Sequence, residues 1–387
     1  MGLPAGYGCH NGPVFLAFLE MRRGVVRFGL LVVAIGLLVF LILFQQALQD
    51  GLITAFVGAV RNQSAPVLVY SVDGQRTLQG SVIPPPLEQT VREARDVGAV
   101  ARVGQGTYTV RVNDRPEDSD AAIIGTDDQE LFHPERLSGG RWPGAVGEAV
   151  GSDADFRVGD TIRVVPAPQA APVTLTVVGV ARDVQLNVTP TLFTDLQTRT
   201  ATALAANPDA QAVLPNVLAV SPADGVSPAE LADQINRASP DVEALTRADA
   251  AAKTPGVDQV RQSFQVIFLL YGLVVPLVTG LFFLIITLQK AGSLTLLRAV
   301  GARPAALTWS LLLQVTAVIG LGLMIGISLF YPLSQARVGG LSLRFDTAVV
   351  LVWSVLLLVL ALASAAASLR RVLRIDPIEA TTGAGIQ

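Results

Sequence analysis

Four long stretches of this chain contain no charged residue, and they constrain its fold more than any other feature. They comprise 22, 28, 33 and 23 residues, and they are Phe28–Gln49, Gln262–Gln289, Pro304–Ala336 and Thr347–Leu369. A helix needs about 20 apolar residues to cross the hydrocarbon core of a bilayer. Each stretch is long enough, so the sequence predicts a multi-pass α-helical membrane protein with four transmembrane helices.

The unequal spacing of these stretches predicts a large domain between transmembrane helices 1 and 2. In the 212 residues of Asp50–Arg261, short β-rich runs alternate with helical patterns, which indicates an α+β domain at 61–256. The predicted strands are Val67–Val72, Tyr108–Val112, Ala122–Gly125, Thr161–Val165, Val173–Val180 and Val217–Val220. The predicted helices are Leu87–Val97, Leu192–Ala206 and Ala229–Ala238, and Gly139-Gly140 is predicted to be a loop.

Basic residues flank the apolar stretches and predict which side of the membrane each segment occupies. They are Arg22, Arg23 and Arg27, then Lys290, Arg298 and Arg303, then Arg370, Arg371 and Arg374. With four crossings all three groups lie on one face, and short basic flanks stay cytoplasmic. Both termini, including the basic tail 370–387, are therefore predicted to be cytoplasmic and the large domain extracytoplasmic.

The composition of the large domain fits that placement. From Arg61 to Arg261 it has 17 Lys and Arg against 26 Asp and Glu, and long translocated domains are not bound by the charge rule. The chain is 51% apolar and 15% charged. Its one cysteine, Cys9, excludes an internal disulfide, so the domain must be held together by its own hydrophobic core.

The first residues divide into two predicted segments. Residues 1–14 are rich in Gly and Pro, and we expect them to be disordered or an artefact of the assigned start site. Residues 15–27 are predicted to form a short amphipathic helix on the cytoplasmic surface.

Helical patterns continue beyond two of the apolar stretches. Gln45–Val60 and Val257–Phe264 keep apolar residues near helical spacing, so 28–60 and 257–289 are each predicted to combine a membrane span with part of a stalk. The alternative is that these extensions only absorb tilt and interfacial length. The third and fourth spans are predicted at 305–332 and 347–369.

A search for catalytic or cofactor chemistry in the sequence finds no candidate. A phosphate-binding Gly-x-x-x-x-Gly-Lys-Ser/Thr loop does not occur, so the chain is predicted to bind no nucleotide by itself and to be no enzyme. The two histidines are His10 and His133, which makes a metal site improbable, and His133 is predicted to be an ordinary surface residue. Arginines spread among acids give no basic stripe for nucleic acid.

Small residues within the apolar stretches predict close helix packing. Gly322 and Gly326 form a small-xxx-small pair, and Ala361 and Ser364 belong to a run of small residues in the fourth stretch. Such residues serve either an interface between protomers or packing inside one subunit, and both readings stay open.

The segment 290–304 between the second and third spans is the most suggestive short motif. It is helix-forming, it carries apolar Leu294, Leu297 and Val300, and it breaks at Gly301. A plain connector is one reading. An exposed apolar face on a short loop instead indicates docking to a partner.

Two motifs resemble a known family. Leu297-Arg298-Ala299-Val300-Gly301-Ala302 resembles the "LRAIGA" cytoplasmic helix of MacB/FtsX-like (LolC-type) four-span permeases of ABC transporters, and the tail Asp376-Pro377-Ile378-Glu379-Ala380 is similar to the family's ending. The turn Val158–Thr161 and the strand Val178–Val180 also look like its outer domain. The family has one span, a large outer domain and then three spans.

The resemblance implies a bacterial cell-membrane permease subunit that holds no cofactor, because ATP is bound by its partner. It implies two copies of an ABC ATPase subunit, a second four-span permease subunit in a homo- or heterodimer, and an extracytoplasmic adaptor as a further partner. The ATPase-coupling helix would use Leu294, Leu297, Arg298, Ala299, Val300, Gly301 and Ala302. The implied function is export of a substrate. The alternative is an FtsX-like signalling or scaffold protein that regulates an extracytoplasmic enzyme without transport.

Overall fold

The structure, a computed structural model, describes residues 22, 24–113, 115–168, 170–289, 304–335, 337–338, 341–343 and 345–373. The chain divides into two compact units. The helical unit comprises the residues up to Leu48, Ser263–Arg337 and those from Leu343 onward. The sheet domain comprises Gln49–Gln262 and Val338–Ser342.

Helices occur in both units. In chain order they are α1 (Val25–Arg61), α2 (Pro85–Arg92), α3 (Leu196–Ala206), α4 (Pro228–Ala238), α5 (Arg247–Lys253), α6 (Val257–Gln289), α7 (Pro304–Leu333) and α8 (Thr347–Leu373). By length and composition α1, α6, α7 and α8 are able to cross a membrane. The prediction of four long apolar helices is confirmed.

The helical unit is built around one face of α1. Buried apolar side chains recur along this helix every three or four residues, as expected for a helix packed on one side. The same buried cluster contains residues of α6, α7 and α8. Its members include Phe28, Leu31, Ile35, Val39, Ile42, Val275, Val315, Val318, Ile319, Val350, Leu357 and Ala361.

The sheet domain contains ten strands in one connected sheet. They are β1 (Val67–Ser71), β2 (Val97–Val112), β3 (Ser119–Thr126), β4 (Leu137–Gly140), β5 (Glu148–Ser152), β6 (Thr161–Val164), β7 (Thr174–Ala181), β8 (Thr191–Asp195), β9 (Val217–Pro222) and β10 (Val242–Thr246). The order is β10-β1-β9-β2-β3-β8-β5-β7-β4, and β6 pairs with both β2 and β7. Two further short strands are β11 (Arg337–Val338) and β12 (Leu341–Ser342).

The first and last strands of the domain form a βαββαβ arrangement. The elements β1-α2-β2 and β9-α4-β10 contribute four antiparallel strands in the order β10-β1-β9-β2. This is the ferredoxin-like pattern, and the remaining strands are inserted between β2 and β9. Helix α4 begins with a capping box in which the Ser227 hydroxyl and the Glu230 carboxylate each bond the other residue's backbone N–H.

The inserted strands close into a ring. The pairs β2-β3, β3-β8, β8-β5, β5-β7, β7-β6 and β6-β2 complete a circuit of six strands, with β3-β8 and β5-β7 parallel. Closure removes the exposed edges of these strands. Every strand contributes a buried side chain to the interior, namely Val110, Ile123, Ala149, Ile162, Leu175 and Leu192.

The four-stranded part has a core on each face because side chains alternate along a strand. On β1, Val67 and Val69 join the cluster beneath α2 and α4. Leu68 and Tyr70 point to the opposite face, where they share a cluster with residues of α1. That α1 set consists of Ile53, Val57, Ala59 and Val60.

Several predicted elements differ from the structure. The prediction of a helix over Leu192–Ala206 is wrong at its start, because Thr191–Asp195 forms strand β8 and Asp195 then caps α3 by accepting from the Thr198 N–H at 2.7 Å. A strand that runs straight into a capped helix leaves no turn residue to mark the boundary. Gly139-Gly140, predicted as a loop, lies in β4. The helix predicted over Leu87–Val97 ends at Arg92, and β2 begins at Val97.

Candidate functional site

The residues of the predicted coupling helix lie outside the described part of the chain. These are Leu294, Leu297, Arg298, Ala299, Val300, Gly301 and Ala302. Their role therefore stays a prediction.

The predicted glycine pair lies between α7 and α1 of the same chain. A Cβ added at Gly322 would lie 2.6 Å from Ile35 Cγ2, and one added at Gly326 would lie 2.6 Å from Val39 Cβ and 2.8 Å from the Gly36 carbonyl oxygen. Real Cβ atoms do not approach so closely, so the contact depends on glycine at both positions. The two helices can pack at this distance only because the glycines bring their backbones together.

The two small residues of the fourth span also have partners within the chain. Ala361 of α8 is buried in the helical core. The Ser364 hydroxyl donates a hydrogen bond of 2.7 Å to the carbonyl oxygen of Pro276 in α6. All four predicted packing residues thus contact helices of this subunit, and the protomer interface stays a prediction.

The end of α1 carries a feature that sequence reasoning missed. Helix α1 continues to Arg61, but Val57 has non-helical angles of φ −125° and ψ 15°. The loop between β7 and β8 bonds the helix backbone on both sides of this break. Asn187 N–H donates to Phe56 O at 2.8 Å, Val188 N–H donates to Ala55 O at 2.9 Å, and Ala59 N–H donates to Gln185 O at 2.9 Å. We call Ala55–Ala59 with Asp183–Val188 the joint.

The backbone of the joint is strained. Asp183, Asn187 and Val188 have φ values of 57°, 52° and 60°, in the left-handed region. Asp and Asn adopt this region more readily than most residues, whereas β-branched Val188 avoids it. Gly58 lies so close to the loop that an added Cβ would be 2.3 Å from the Asp183 carbonyl oxygen. Strained positions of this kind each cost about 1–3 kcal/mol and persist only where surrounding contacts hold them. The strain therefore marks the joint as a place where the end of α1 is fixed to the ring of strands.

The residues that follow α1 form a second attachment, to the segment between β3 and β4. Ser64 N–H donates to the His133 carbonyl oxygen at 2.8 Å, and the Ser64 hydroxyl accepts from the His133 N–H at 3.0 Å. Glu135 N–H donates to Asn62 O at 2.8 Å. The Arg247 guanidinium bridges the Gln63 carbonyl oxygen, at 2.6 Å, and the Glu135 carboxylate. The end of α1 is thus bonded to two loops of the strand ring.

His133 itself is not the ordinary surface residue that the sequence predicts. It is half-buried, its Nδ1 lies 2.6 Å from the Pro134 carbonyl oxygen, and its ring meets the Trp142 ring edge-to-face at 4.6 Å. This pair lies at a cavity of about 500 Å³ in the sheet domain. The cavity is lined by Ile124, Thr126, Gln129, Glu130, Phe132, His133, Pro134, Trp142, Pro143, Val150, Phe193 and Thr194.

The loop that carries Trp142 is fixed by a single carboxylate. Glu148 binds the Arg141 guanidinium through both oxygens, one at 2.8 Å from Nη1, and accepts from the Gly144 N–H at 2.8 Å. These hydrogen bonds, first from Arg141 and then from Gly144, lower the pKa of Glu148 to about 2. The carboxylate therefore stays ionised, and the loop stays anchored, at any pH above that range.

Metal chemistry has no candidate in the described part of the chain. No group of three or more His, Cys, Asp or Glu side chains there is placed to hold a metal ion. The arrangement instead offers hydrogen-bonded attachments at the end of α1 and two cavities beside them, the one at His133 and one of about 510 Å³ lined in part by Phe56, Val57 and Asn187.

Comparison with known proteins finds two family matches in this chain. Residues 28–238 match the family described as MacB-like periplasmic core domain, which is more than half of the 387 residues. Residues 265–377 match the family described as FtsX-like permease C-terminal. The two matches follow one another along the chain, and between them they cover most of each of the four long apolar helices.

Individual relatives are more distant. A Staphylococcus epidermidis protein named as a hemin transport system permease, HrtB, is 26% identical over 111 residues, which is 29% of this chain and 32% of that protein. The chain thus matches about a third of the length of that relative. The periplasmic region of MacB from Actinobacillus actinomycetemcomitans has a TM-score of 0.33 and 14% identity, covering 54% of this chain and 94% of that one. The extracellular domain of the ABC-type transporter YknZ from Gram-positive bacteria has a TM-score of 0.31 and 10% identity, covering 48% and 100%.

Proposed function

Because this chain belongs to the MacB/FtsX-like family of ABC transporter permeases, we propose that it is a membrane subunit that links ATP hydrolysis to movement of its sheet domain. ATP is bound and hydrolysed by a separate ATPase chain, present in two copies, and the permease subunit holds no cofactor. The movement drives export of a substrate from the outer leaflet or the extracytoplasmic space.

One observation carries this proposal, namely the continuity and attachment of α1. The chain stays helical from Val25 to Arg61 except at Val57, where the joint holds the backbone on both sides of the break. Its apolar part belongs to the packed helical unit, while its last residues are bonded to two loops of the strand ring through the joint and through Asn62–Ser64. In this proposal, a displacement of α1 is passed to the strand ring through these hydrogen bonds.

The direction of transmission follows from the charge distribution. The three basic flanks support a cytoplasmic location for the segment 290–304 and both termini, with the acidic sheet domain outside. The ATPase would dock on the apolar face of 290–304, and its closure on ATP would displace the spans that this segment joins.

A second four-span subunit is part of the proposal. In its described part, helix α6 is the least covered of the four long helices, because 6% of its most apolar stretch is buried within the chain, against 39% for α1. Its exposed side chains recur at three- and four-residue spacing, as on a face that packs against a neighbour or lipid. They are Val266, Leu269, Leu270, Leu273 and Leu277.

The coupling role is tested by charge substitution on the docking face. The chain is affinity-purified from native membranes with its associated ATPase, and ATP hydrolysis is measured after reconstitution. We expect the Leu297→Asp, Val300→Asp double variant to lose the ATPase subunit or its stimulation, because carboxylates cannot be buried in an apolar contact without a partner. Ser293→Asp adds a charge to the same segment at a polar position and should retain both. Unchanged stimulation in the double variant, or absence of any Walker-motif chain from the wild-type complex, would refute the proposal.

A further inference from the structure

The cavity beside Trp142 is a built site rather than a surface irregularity. Its floor is a single row of side chains across three adjacent strands, because Ile124 of β3 and Val150 of β5 are both register partners of Phe193 in β8. All three side chains are buried. Phe132 packs on this floor, with its ring 6.1 Å from that of Phe193. The volume of about 500 Å³ lies within the range of small-molecule sites.

The two walls of the cavity are held in place by hydrogen bonds to residues outside the cavity lining. One wall carries His133, whose backbone is bonded to Ser64. The other carries Trp142, on the loop that Glu148 anchors through Arg141 and Gly144. A ligand would therefore enter a preformed space and would not have to order the walls, which favours binding.

The lining chemistry defines what kind of molecule fits. Seven of the twelve lining residues are apolar or aromatic. The threonine hydroxyls are engaged elsewhere, since Thr126 bonds the Asp128 backbone and Thr194 donates to the Glu148 carbonyl oxygen at 2.8 Å. The polar groups left at the cavity are the side chains of Gln129, Glu130 and His133.

The charge of the lining residues further restricts the class of ligand that the cavity fits. Glu130 is the one carboxylate among the lining residues, and no Lys or Arg lines the cavity. Among the described residues, Glu130 forms no ion pair. Trp142 leaves 41% of its surface exposed at the same site, and an indole face attracts a cation. A carboxylate and an exposed indole beside an aromatic floor match an aromatic molecule that carries a positive charge.

We propose that this cavity binds a small aromatic cation, with the ring system on the Ile124–Val150–Phe193 floor and the ammonium group between Glu130 and Trp142. Neither family match assigns a ligand to these residues. The proposal does not depend on transport, because it concerns binding to the full chain in the absence of any ATPase.

Three probes with one aromatic body separate charge from shape. They are 1-naphthylmethylammonium, neutral 1-naphthylmethanol and anionic 1-naphthylacetate, titrated calorimetrically into the full chain in phosphatidylcholine nanodiscs, with empty nanodiscs subtracted. We expect saturable one-site binding in which the ammonium binds most tightly and the carboxylate most weakly. Glu130→Gln should weaken ammonium binding about 2- to 5-fold, the size of an exposed ion-pair contribution, and leave alcohol binding nearly unchanged.

Two further variants complete the test. Trp142→Ala should weaken both the ammonium and the alcohol, because it removes an aromatic wall. Glu117→Gln, a change of an exposed glutamate outside the cavity lining, should leave all three affinities unchanged. The proposal is overturned if wild-type protein shows no saturable ammonium binding, if the carboxylate binds as tightly as the ammonium, or if Glu130→Gln keeps the full preference for charge.

Discussion

At the scale of single residues, a buried polar group without a hydrogen-bond partner lowers the stability of the sheet domain. The Tyr70 side chain is fully buried on β1, and its hydroxyl has no hydrogen-bond partner among the described residues. Burial, and next to it the charge of Glu243, raises the pKa of this hydroxyl above its ordinary value. A buried hydroxyl without a partner costs about 1–3 kcal/mol of stability.

Tyr70→Phe should therefore stabilise the protein by about 1 kcal/mol, since the ring volume is kept and only the stranded hydroxyl is removed. Thermal unfolding of the detergent-solubilised full chain measures the effect as a raised midpoint. Tyr70→Ala provides the contrast at the same position, because it leaves a cavity and should cost about 3–5 kcal/mol. A lower midpoint for Tyr70→Phe would mean that the hydroxyl is bonded after all.

Arg199 is a second buried polar residue of the sheet domain, and it does form hydrogen bonds. It is 6% exposed, and its Nη2 donates to the Gln105 carbonyl oxygen at 2.6 Å and to Asn216 Oδ1 at 3.1 Å. Burial lowers the pKa of this guanidinium. These bonds tie α3 to β2 and to the chain entering β9, so the polar group specifies where the helix docks on the sheet.

At the scale of elements, the contact of α7 with α1 depends on two glycines. An alanine at Gly326 would place its Cβ 2.6 Å from Val39 Cβ, whereas nothing lies within 4 Å of a Cβ at Gly320 of the same helix. Gly326→Ala should force the helices apart and destabilise the helical unit by about 1–3 kcal/mol. Gly320→Ala should be neutral or slightly stabilising, because alanine favours a helix more than glycine does.

Thermal midpoints of the two variants in the same detergent test this prediction. The double variant Gly326→Ala, Val39→Ala removes the clashing side chain and should recover part of the loss. Equal midpoints for Gly326→Ala and Gly320→Ala would contradict the role of the α1–α7 contact.

The elements also show which parts of the fold the sequence could predict. The long apolar stretches predict α1, α6, α7 and α8 because membrane spanning is decided by composition over many residues. The helix predicted over Ala229–Ala238 corresponds to α4, whose start carries a capping box, a signal contained in a few neighbouring residues. Strand β8 and the first half of β2 were not predicted. In β2, Gly98 and Ala99 lack strand preference, and the pairing of this part depends on a strand far away in the sequence.

The candidate site was less accessible to sequence reasoning. The small residues at Gly322, Gly326, Ala361 and Ser364 were found because small-residue spacing is a signal within one helix. The joint was missed because its bonds link Ala55–Ala59 to a loop more than a hundred residues away, and positive φ values at non-glycine residues leave no trace in composition. The cavity was missed for the same reason, since its floor is assembled by strand register.

At the scale of the whole molecule, the proposed sidedness is open to a direct test. In a Cys9→Ser background, Ala206→Cys places a thiol at an exposed position at the end of α3, and Ser293→Cys places one between the second and third spans. A membrane-impermeant maleimide should label position 206 in intact spheroplasts and position 293 only after permeabilisation. The positive-inside distribution of Arg and Lys is the physical reason. Labelling of position 293 in sealed spheroplasts would reverse the topology and remove the docking surface for the ATPase.

The length and pairing of strand β2 determine how the sheet domain unfolds. Its first residues pair with β9 in the ferredoxin-like sheet, and its last residues pair with β3 and β6 in the closed ring. One continuous strand of 16 residues therefore belongs to both the ferredoxin-like sheet and the ring. Unfolding of either the ferredoxin-like sheet or the ring would break hydrogen bonds of the other through β2. The two should therefore lose amide protection together, as one cooperative unit. Since β2 passes from one part to the other without a break in the strand, we expect the ferredoxin-like sheet and the ring to keep a fixed orientation to each other.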